Sequence, residues 1–74
     1  MDYNYKKLES TIDLEDSGKI RCYSIVCEDE KGIIKERVNN VSSDVEFIDK
    51  LVNLLNNYEV YPEHMLDIIE DSLE

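Results

Sequence analysis

The apolar residues change period partway along the chain, and that change limits the fold more than any other feature. Residues 3–39 set apolar side chains at alternate positions or in short β-branched runs. Residues 43–73 repeat them every three to four. Period two buries one face of a strand and period 3.6 one stripe of a helix, so sheet comes first and helices follow. With 74 residues there is room for a single domain spanning 1–74. A chain this short buries only about 60% of its unfolded surface, so its own core is small.

Turn residues divide the first half. From Tyr3 to Leu14, Leu8, Ile12 and Leu14 share one parity, and Tyr3, Tyr5, Lys7 and Glu9 the other. Glu15-Asp16-Ser17-Gly18 reads as a polar loop with a glycine suited to positive φ. Ile20–Glu28 is the densest β-branched and aromatic run, which suits a central strand. Asp29-Glu30-Lys31-Gly32 closes a hairpin and Ile33–Asn39 returns. Loops of two or four residues pair even with odd positions, so Tyr23, Ile25 and Cys27 share a face with Ile34 and Val38. The same parity sets Leu8 and Ile12 beside them.

In the second half, Ser43-Asp44-Val45-Glu46 fits a capping box, in which a hydroxyl and a glutamate satisfy free N–H groups of the first helical turn. Val45, Ile48, Leu51, Val52 and Leu55 then form one helical stripe. Asn56-Asn57 ends it. Pro62 suits the first turn of a second helix, where its missing N–H costs nothing. Met65, Leu66, Ile69 and Leu73 repeat the stripe. The expected fold is α+β: a three-stranded antiparallel sheet followed by two helices packed on one face, in the order β-β-β-α-α.

That arrangement leaves the other sheet face uncovered, carrying Tyr3, Tyr5, Cys22, Val26, Ile33, Lys35 and Arg37. Tyrosine and arginine among apolar groups is the composition of an interface. Pairing with a second copy, a homodimer through the outer sheet face, is one expectation. A half-wet sheet of scattered apolar residues is the other.

Cys22 and Cys27 are the only cysteines. On one strand they point to opposite faces, roughly 16 Å apart. A disulfide needs Cα atoms within about 7 Å, so no intrachain bridge is expected. Two ligands at that spacing make no zinc site either. They read as small buried hydrophobes, with Cys22 on the outer face, and free thiols suit a reducing cytoplasm. The polar segment Met1–Leu8 lacks a signal-peptide core and no run of about 18 apolar residues exists, so neither secretion nor a membrane span is expected.

The net charge is −10 and its distribution is uneven. Residues 1–41 hold seven basic and nine acidic groups, whereas residues 42–74 hold Lys50 alone against nine acids. In the last helix Glu63, Asp67, Glu70 or Asp71, and Glu74 recur at three to four residues. A step of four residues at 1.5 Å rise sets carboxylates about 6 Å apart. Like charges at that spacing oppose helix formation by roughly 0.2–0.5 kcal/mol per pair. Glu70, Asp71 and Glu74 also crowd a helix C-terminus, whose dipole prefers cations. The row reads either as a solubility face or as a surface for a basic partner, loosely comparable to the phosphates of a nucleic-acid strand.

Catalytic patterns are missing from this sequence. His64 is the only histidine. Asp67 lies one turn on, but no motif sets a nucleophile or metal ligand beside them. Gly18 and Gly32 are the only glycines, too few for a phosphate loop. No EF-hand spacing is present, and solvated carboxylates make poor general acids. Arg21, Lys35 and Arg37 are a small basic patch on an anionic body, which disfavours direct nucleic-acid binding. No enzyme and no cofactor is expected.

Tyr23-Ser24-Ile25, the segment VNNVSSD from Val38 to Asp44, and Pro62-Glu63-His64-Met65-Leu66-Asp67-Ile68-Ile69-Glu70-Asp71 carry a resemblance. Together they resemble a domain-of-unknown-function family of small clostridial (Firmicutes) proteins, with a short sheet and a Pro-x-His-x-x-Asp helix. The resemblance covers most of the chain after Ile20. It implies a bacterial cytoplasmic protein with strands before helices, and gives Pro62, His64, Asp67 and Asp71 weight in fold or partner binding. It implies no activity. In size and acidity the chain is also similar to phage-encoded inhibitors of the anti-CRISPR type, a likeness of character with no motif behind it.

The functional expectation is therefore a non-catalytic acidic interaction protein that inhibits by occlusion. Asp44, Glu46, Asp49, Glu63, Asp67, Glu70, Asp71 and Glu74 dock on a basic protein partner, which itself binds nucleic acid. Tyr3, Tyr5 or Tyr58 supply the apolar anchors. The alternative in the same class is an accessory or regulatory domain with an ordinary protein partner. The alternative from another class is a small enzyme using His64 and Asp67.

Overall fold

The computed structural model describes residues 2–16 and 18–73. Three strands, β1 (Tyr3–Leu14), β2 (Gly18–Asp29) and β3 (Ile34–Ser42), precede two helices, α1 (Val45–Asn57) and α2 (Pro62–Leu73). The strands form one antiparallel sheet in the order β1-β2-β3, which leaves β1 and β3 as edges. The α+β fold and its element order are those the change of period dictates.

β2 is central because its sequence is apolar on both faces. Cys22 through Cys27 are all buried. Tyr23, Ile25 and Cys27 face the helices, where they form a core with Tyr5, Ile48, Leu51, Leu55, Met65 and Ile69. Burying each of the larger aliphatic side chains contributes about 1.5–3 kcal/mol. On the opposite face Val26 is fully covered, although no helix lies over it. Lys6 and Arg37 flank Val26 in register on that face, and side chains of this type cover apolar neighbours with their aliphatic stems while the charges reach water. Cys22, also buried on that face, points its thiol at the Ser42 carbonyl, 3.6 Å away.

The expected parity of β1 is inverted. Leu14 pairs with Gly18, an offset of four that matches odd positions with odd along the whole hairpin. Tyr5 therefore faces Cys27 and is only 2% exposed, inside the core instead of on the outer face. Leu8 and Ile12 take the outer face, half-buried. A register change of one residue flips every side chain of a strand, so a single turn residue decided all of these positions. The second hairpin keeps the expected pairing at Ile25–Val38, then breaks twice. Lys35 is bulged out between Glu36 and Ile34, which moves Ile34 opposite Glu28 and leaves it exposed. Farther on, Asn40 adopts φ 52° and donates its N–H to the buried Ser24 hydroxyl at 3.1 Å. That bulge carries β3 past Asn39 to Ser42.

The helix N-cap sits one residue later than the capping box implied. Asp44, not Ser43, is the cap, and its carboxylate accepts from the N–H groups of Glu46 and Phe47 at 3.0 and 3.4 Å. Aspartate holds the positive end of the helix dipole as well as the hydrogen bonds, and so wins over serine. On α1, Ile48, Leu51 and Leu55 are buried, Val52 is half-buried and Val45 is exposed. On α2 only Met65 and Ile69 are buried, whereas Leu66 and Leu73 stand in solvent at 48% and 53% exposure. α2 packs against β3 and α1 along one narrow row. The two leucines lie off that row.

Candidate interaction surface

The turn between α1 and α2 is built with unusual care for a loop. Val60 N–H donates to the Leu55 carbonyl at 3.1 Å and Glu59 N–H to that of Asn56 at 3.2 Å. These two bonds define a Schellman motif, and its left-handed position is Glu59, at φ 49°. Glycine is the usual occupant there, because a side chain in left-handed backbone costs roughly 1–2 kcal/mol. The strained residue sits between two displayed tyrosines, Tyr58 at 76% and Tyr61 at 56% exposure. Tyr61 meets the half-buried Tyr3 edge-to-face, ring centroids 6.1 Å apart, beside a shallow cleft lined by Asp2, Tyr3, Glu59 and Tyr61.

Tyr5 anchors this turn from beneath. Its hydroxyl donates to the Val60 carbonyl at 2.6 Å. Burial, and then the neighbouring Cys27 thiol, push the phenol pKa upward, so it stays a donor. Tyr5 was expected among the partner-binding tyrosines. It instead holds the loop that displays two others.

Of the expected carboxylates, Asp44 is occupied as the α1 cap, and Asp49 pairs with Lys7 of β1 at 2.6 Å. Glu46 is exposed on the first turn of α1. Glu63, Asp67, Glu70 and Asp71 are exposed on α2, and none forms an ion pair among the described residues. Glu74 lies outside the described residues. The cations that are paired belong to the sheet: Lys6 with Glu28, Lys7 with Asp49, Arg21 with Glu9 and Lys35 with Asp29. Ion pairs among the described residues therefore compensate part of the negative charge of the sheet, at Glu9, Glu28 and Asp29, and none of that along α2. Leu66 and Leu73 flank the carboxylate row on one side, adding exposed apolar area to the same helix.

Four members of this surface escaped sequence reasoning: Glu59, Tyr61, Leu66 and Leu73. Two carried a readable signal, since Tyr61 precedes the helix-starting Pro62 and Glu59 follows the Asn56-Asn57 stop where glycine is usual. The leucines carried none, for their spacing is that of a core stripe. The expected dimer face also changes. Tyr3 and Tyr5 lie on the helix side, Cys22 and Val26 are buried, and Ile33 precedes β3, leaving Lys35 and Arg37. His64 is exposed on the first turn of α2, and its side chain makes no hydrogen bond with Asp67 among the described residues. No helix of the described residues is long and apolar enough to cross a membrane.

The chain belongs to the family of unknown function DUF6514, whose model matches residues 1–74. No curated protein and no solved structure matches it.

Proposed function

We propose that this member of the family is a non-catalytic interaction protein that docks on a basic surface of a partner through α2 and the turn before it. The observation that carries the reading is the uncompensated row of Glu63, Asp67, Glu70 and Asp71 on a helix that also exposes Leu66 and Leu73. The charges set the encounter rate and its salt sensitivity. Tyr58, Tyr61 and the two leucines supply the area that makes a contact last. Carboxylates one turn apart, about 6 Å, offer a basic groove a row of anions, as a nucleic-acid strand does. The finer reading is a cytoplasmic inhibitor that occludes a nucleic-acid-binding partner by charge mimicry.

The test is capture of partners from bacterial lysate on the immobilised chain, identified by mass spectrometry and repeated with heparin. It is run beside the triple variant Glu63→Gln, Asp67→Asn, Glu70→Gln. A nucleic-acid-binding protein released by heparin and lost from the variant is the expected result. Equal capture by the variant overturns the docking role of α2. Exposure of Tyr58 and Tyr61 favours a second reading, a regulatory domain with an ordinary protein partner, in which heparin leaves the complex intact and Tyr58→Ala breaks it.

A further inference from the structure

We infer that two copies of the chain pair antiparallel through the open edge of β1, about a twofold axis at Ser10, joining their sheets into one. The inference begins at Tyr5, whose N–H donates to the Asn56 side chain and whose carbonyl accepts from it. Both groups therefore point away from β2. Backbone direction alternates along a strand, so the N–H and C=O groups of Lys7, Glu9, Thr11 and Asp13 point the same way. Among the described residues none of these four has a backbone partner on that side. Asn56 closes the edge at Tyr5 and leaves it open from Lys7 to Asp13.

The only other protection along that stretch, among the described residues, is the charge of Lys7, Glu9 and Asp13. β1 keeps register with β2 from Tyr3 to Leu14 without a shift, whereas the other edge strand, β3, carries two shifts and the left-handed Asn40. Bulges are a common protection of exposed edges, and β1 has none. The distal hairpin also lacks support. β3 pairs with β2 only as far as Tyr23, so beyond Cys22 the sheet is a two-stranded ribbon without a helix-side core. Such ribbons are marginal alone. The radius of gyration, 12.9 Å against about 11 Å for a compact chain of this length, reflects the projecting hairpin.

The open stretch is self-complementary in one register. Its midpoint is Ser10, and a twofold there sets Lys7 opposite Asp13 of the second copy and Glu9 opposite Thr11. About eight backbone hydrogen bonds form, two for each facing pair of odd residues. On the outer face Leu8 meets Ile12 of the second copy, and each Ile12 already faces Ile20 in its own sheet. Within each copy Lys7 pairs with Asp49 and Asp13 faces Lys19 in register, so the Lys7–Asp13 contact across the twofold joins opposite charges that already have neighbours and contributes little. Neighbouring registers fail: an axis at Glu9 sets Glu9 on itself, and one at Thr11 sets Glu9 on Asp13. Each copy carries a net −10, so the dimer strengthens with added salt as long-range repulsion is screened.

The experiment is sedimentation of the full chain across the micromolar range, with variants chosen from the strand geometry. Thr11 N–H points away from β2, so Thr11→Pro removes an intermolecular donor and no intrachain one. Ile12→Lys sets a charge against Leu8 of the second copy. Each is expected to weaken dimerisation by about tenfold or more, with circular dichroism reporting the fold. If Thr11→Pro unfolds the chain, Ile12→Lys decides. Ser10→Cys in a Cys22→Ala background is expected to give a disulfide-linked dimer on mild oxidation. The facing Cα atoms on the axis lie about 4.5 Å apart, within disulfide reach. Asp13→Cys in that background is expected to give none. A monomer at all concentrations, or a dimer that survives both substitutions and resists the Ser10 crosslink, overturns the inference.

Discussion

The carboxamide of Asn56 occupies the edge of β1 as a further strand would. Tyr5 N–H donates to its oxygen at 2.8 Å, and its nitrogen donates to the Tyr5 carbonyl at 3.0 Å. One α1 side chain thus satisfies both backbone groups of a core residue fifty-one positions away. Asn56→Ala leaves both half-buried groups without a partner, and the expected cost is about 1–3 kcal/mol. For a domain of this size each kcal/mol lowers Tm by about 4–8 °C. An unchanged Tm in calorimetry would show that water replaces the carboxamide without loss.

Glu59 gives a prediction of the opposite sign. Its left-handed φ of 49° is one that glycine adopts without strain. Glu59→Gly is therefore expected to stabilise the isolated chain by about 1 kcal/mol, read from urea unfolding. Backbone strain kept at an exposed position is common where the residue has work to do. On the proposed function the same substitution weakens partner capture while raising stability, and a loss of both would refute this account of the turn.

Most of the fold was legible because its elements differ in period. The apolar density of β2, the α1 stripe, the Asn56-Asn57 stop and the Pro62 start each carry a local signal, and all four are where the residues placed them. What failed was parity. Glu15 to Gly18 reads as a loop of four, but Gly18 is already the partner of Leu14. One residue moved Tyr5 into the core and Leu8 out of it. Leu66 and Leu73 misled for a different reason: helical spacing says which residues share a face, not how wide a face the sheet can cover. The surface at the α1–α2 turn was only partly legible, since Tyr58 is exposed as expected but its support by Tyr5 runs through a contact no local pattern encodes.

Asp29 governs the acid response of the second hairpin. Its carboxylate accepts from Ile33 N–H at 3.0 Å and Lys31 N–H at 2.9 Å, with the Lys35 ammonium 3.5 Å away. The Ile33 hydrogen bond first, then Lys31 and Lys35, hold its pKa below the ordinary aspartate value. A pKa depressed by folding contributes stability above the unfolded value, about 3.9, and loses it as pH falls through the folded one. Carboxyl NMR should find Asp29 titrating below that reference. Asp29→Asn retains an acceptor for both N–H groups, so it should flatten the acid limb of the stability curve while preserving the hairpin. A wild-type Asp29 that titrates at the ordinary value would remove this account.

Tyr5 and Cys27 govern the alkaline response, and they connect it to the surface. Burial is the main cause that raises both pKa values, and the two groups face each other across β1 and β2. For a raised pKa the stabilising contribution is complete below the unfolded value and is lost as pH rises toward the folded one. The loss starts above about pH 8.5 for the thiol and above about pH 10 for the phenol. In the folded chain Cys27 should resist alkylation, and Tyr5 should give no phenolate absorbance until the chain unfolds. Tyr5→Phe removes the upper part of this alkaline loss. It also leaves the Val60 carbonyl without its donor, at a cost of about 1 kcal/mol. Because that bond holds the turn carrying Tyr58 and Tyr61, Tyr5→Phe should weaken partner capture although Tyr5 is only 2% exposed. Full capture by a folded Tyr5→Phe chain would show that the turn keeps its shape without the bond.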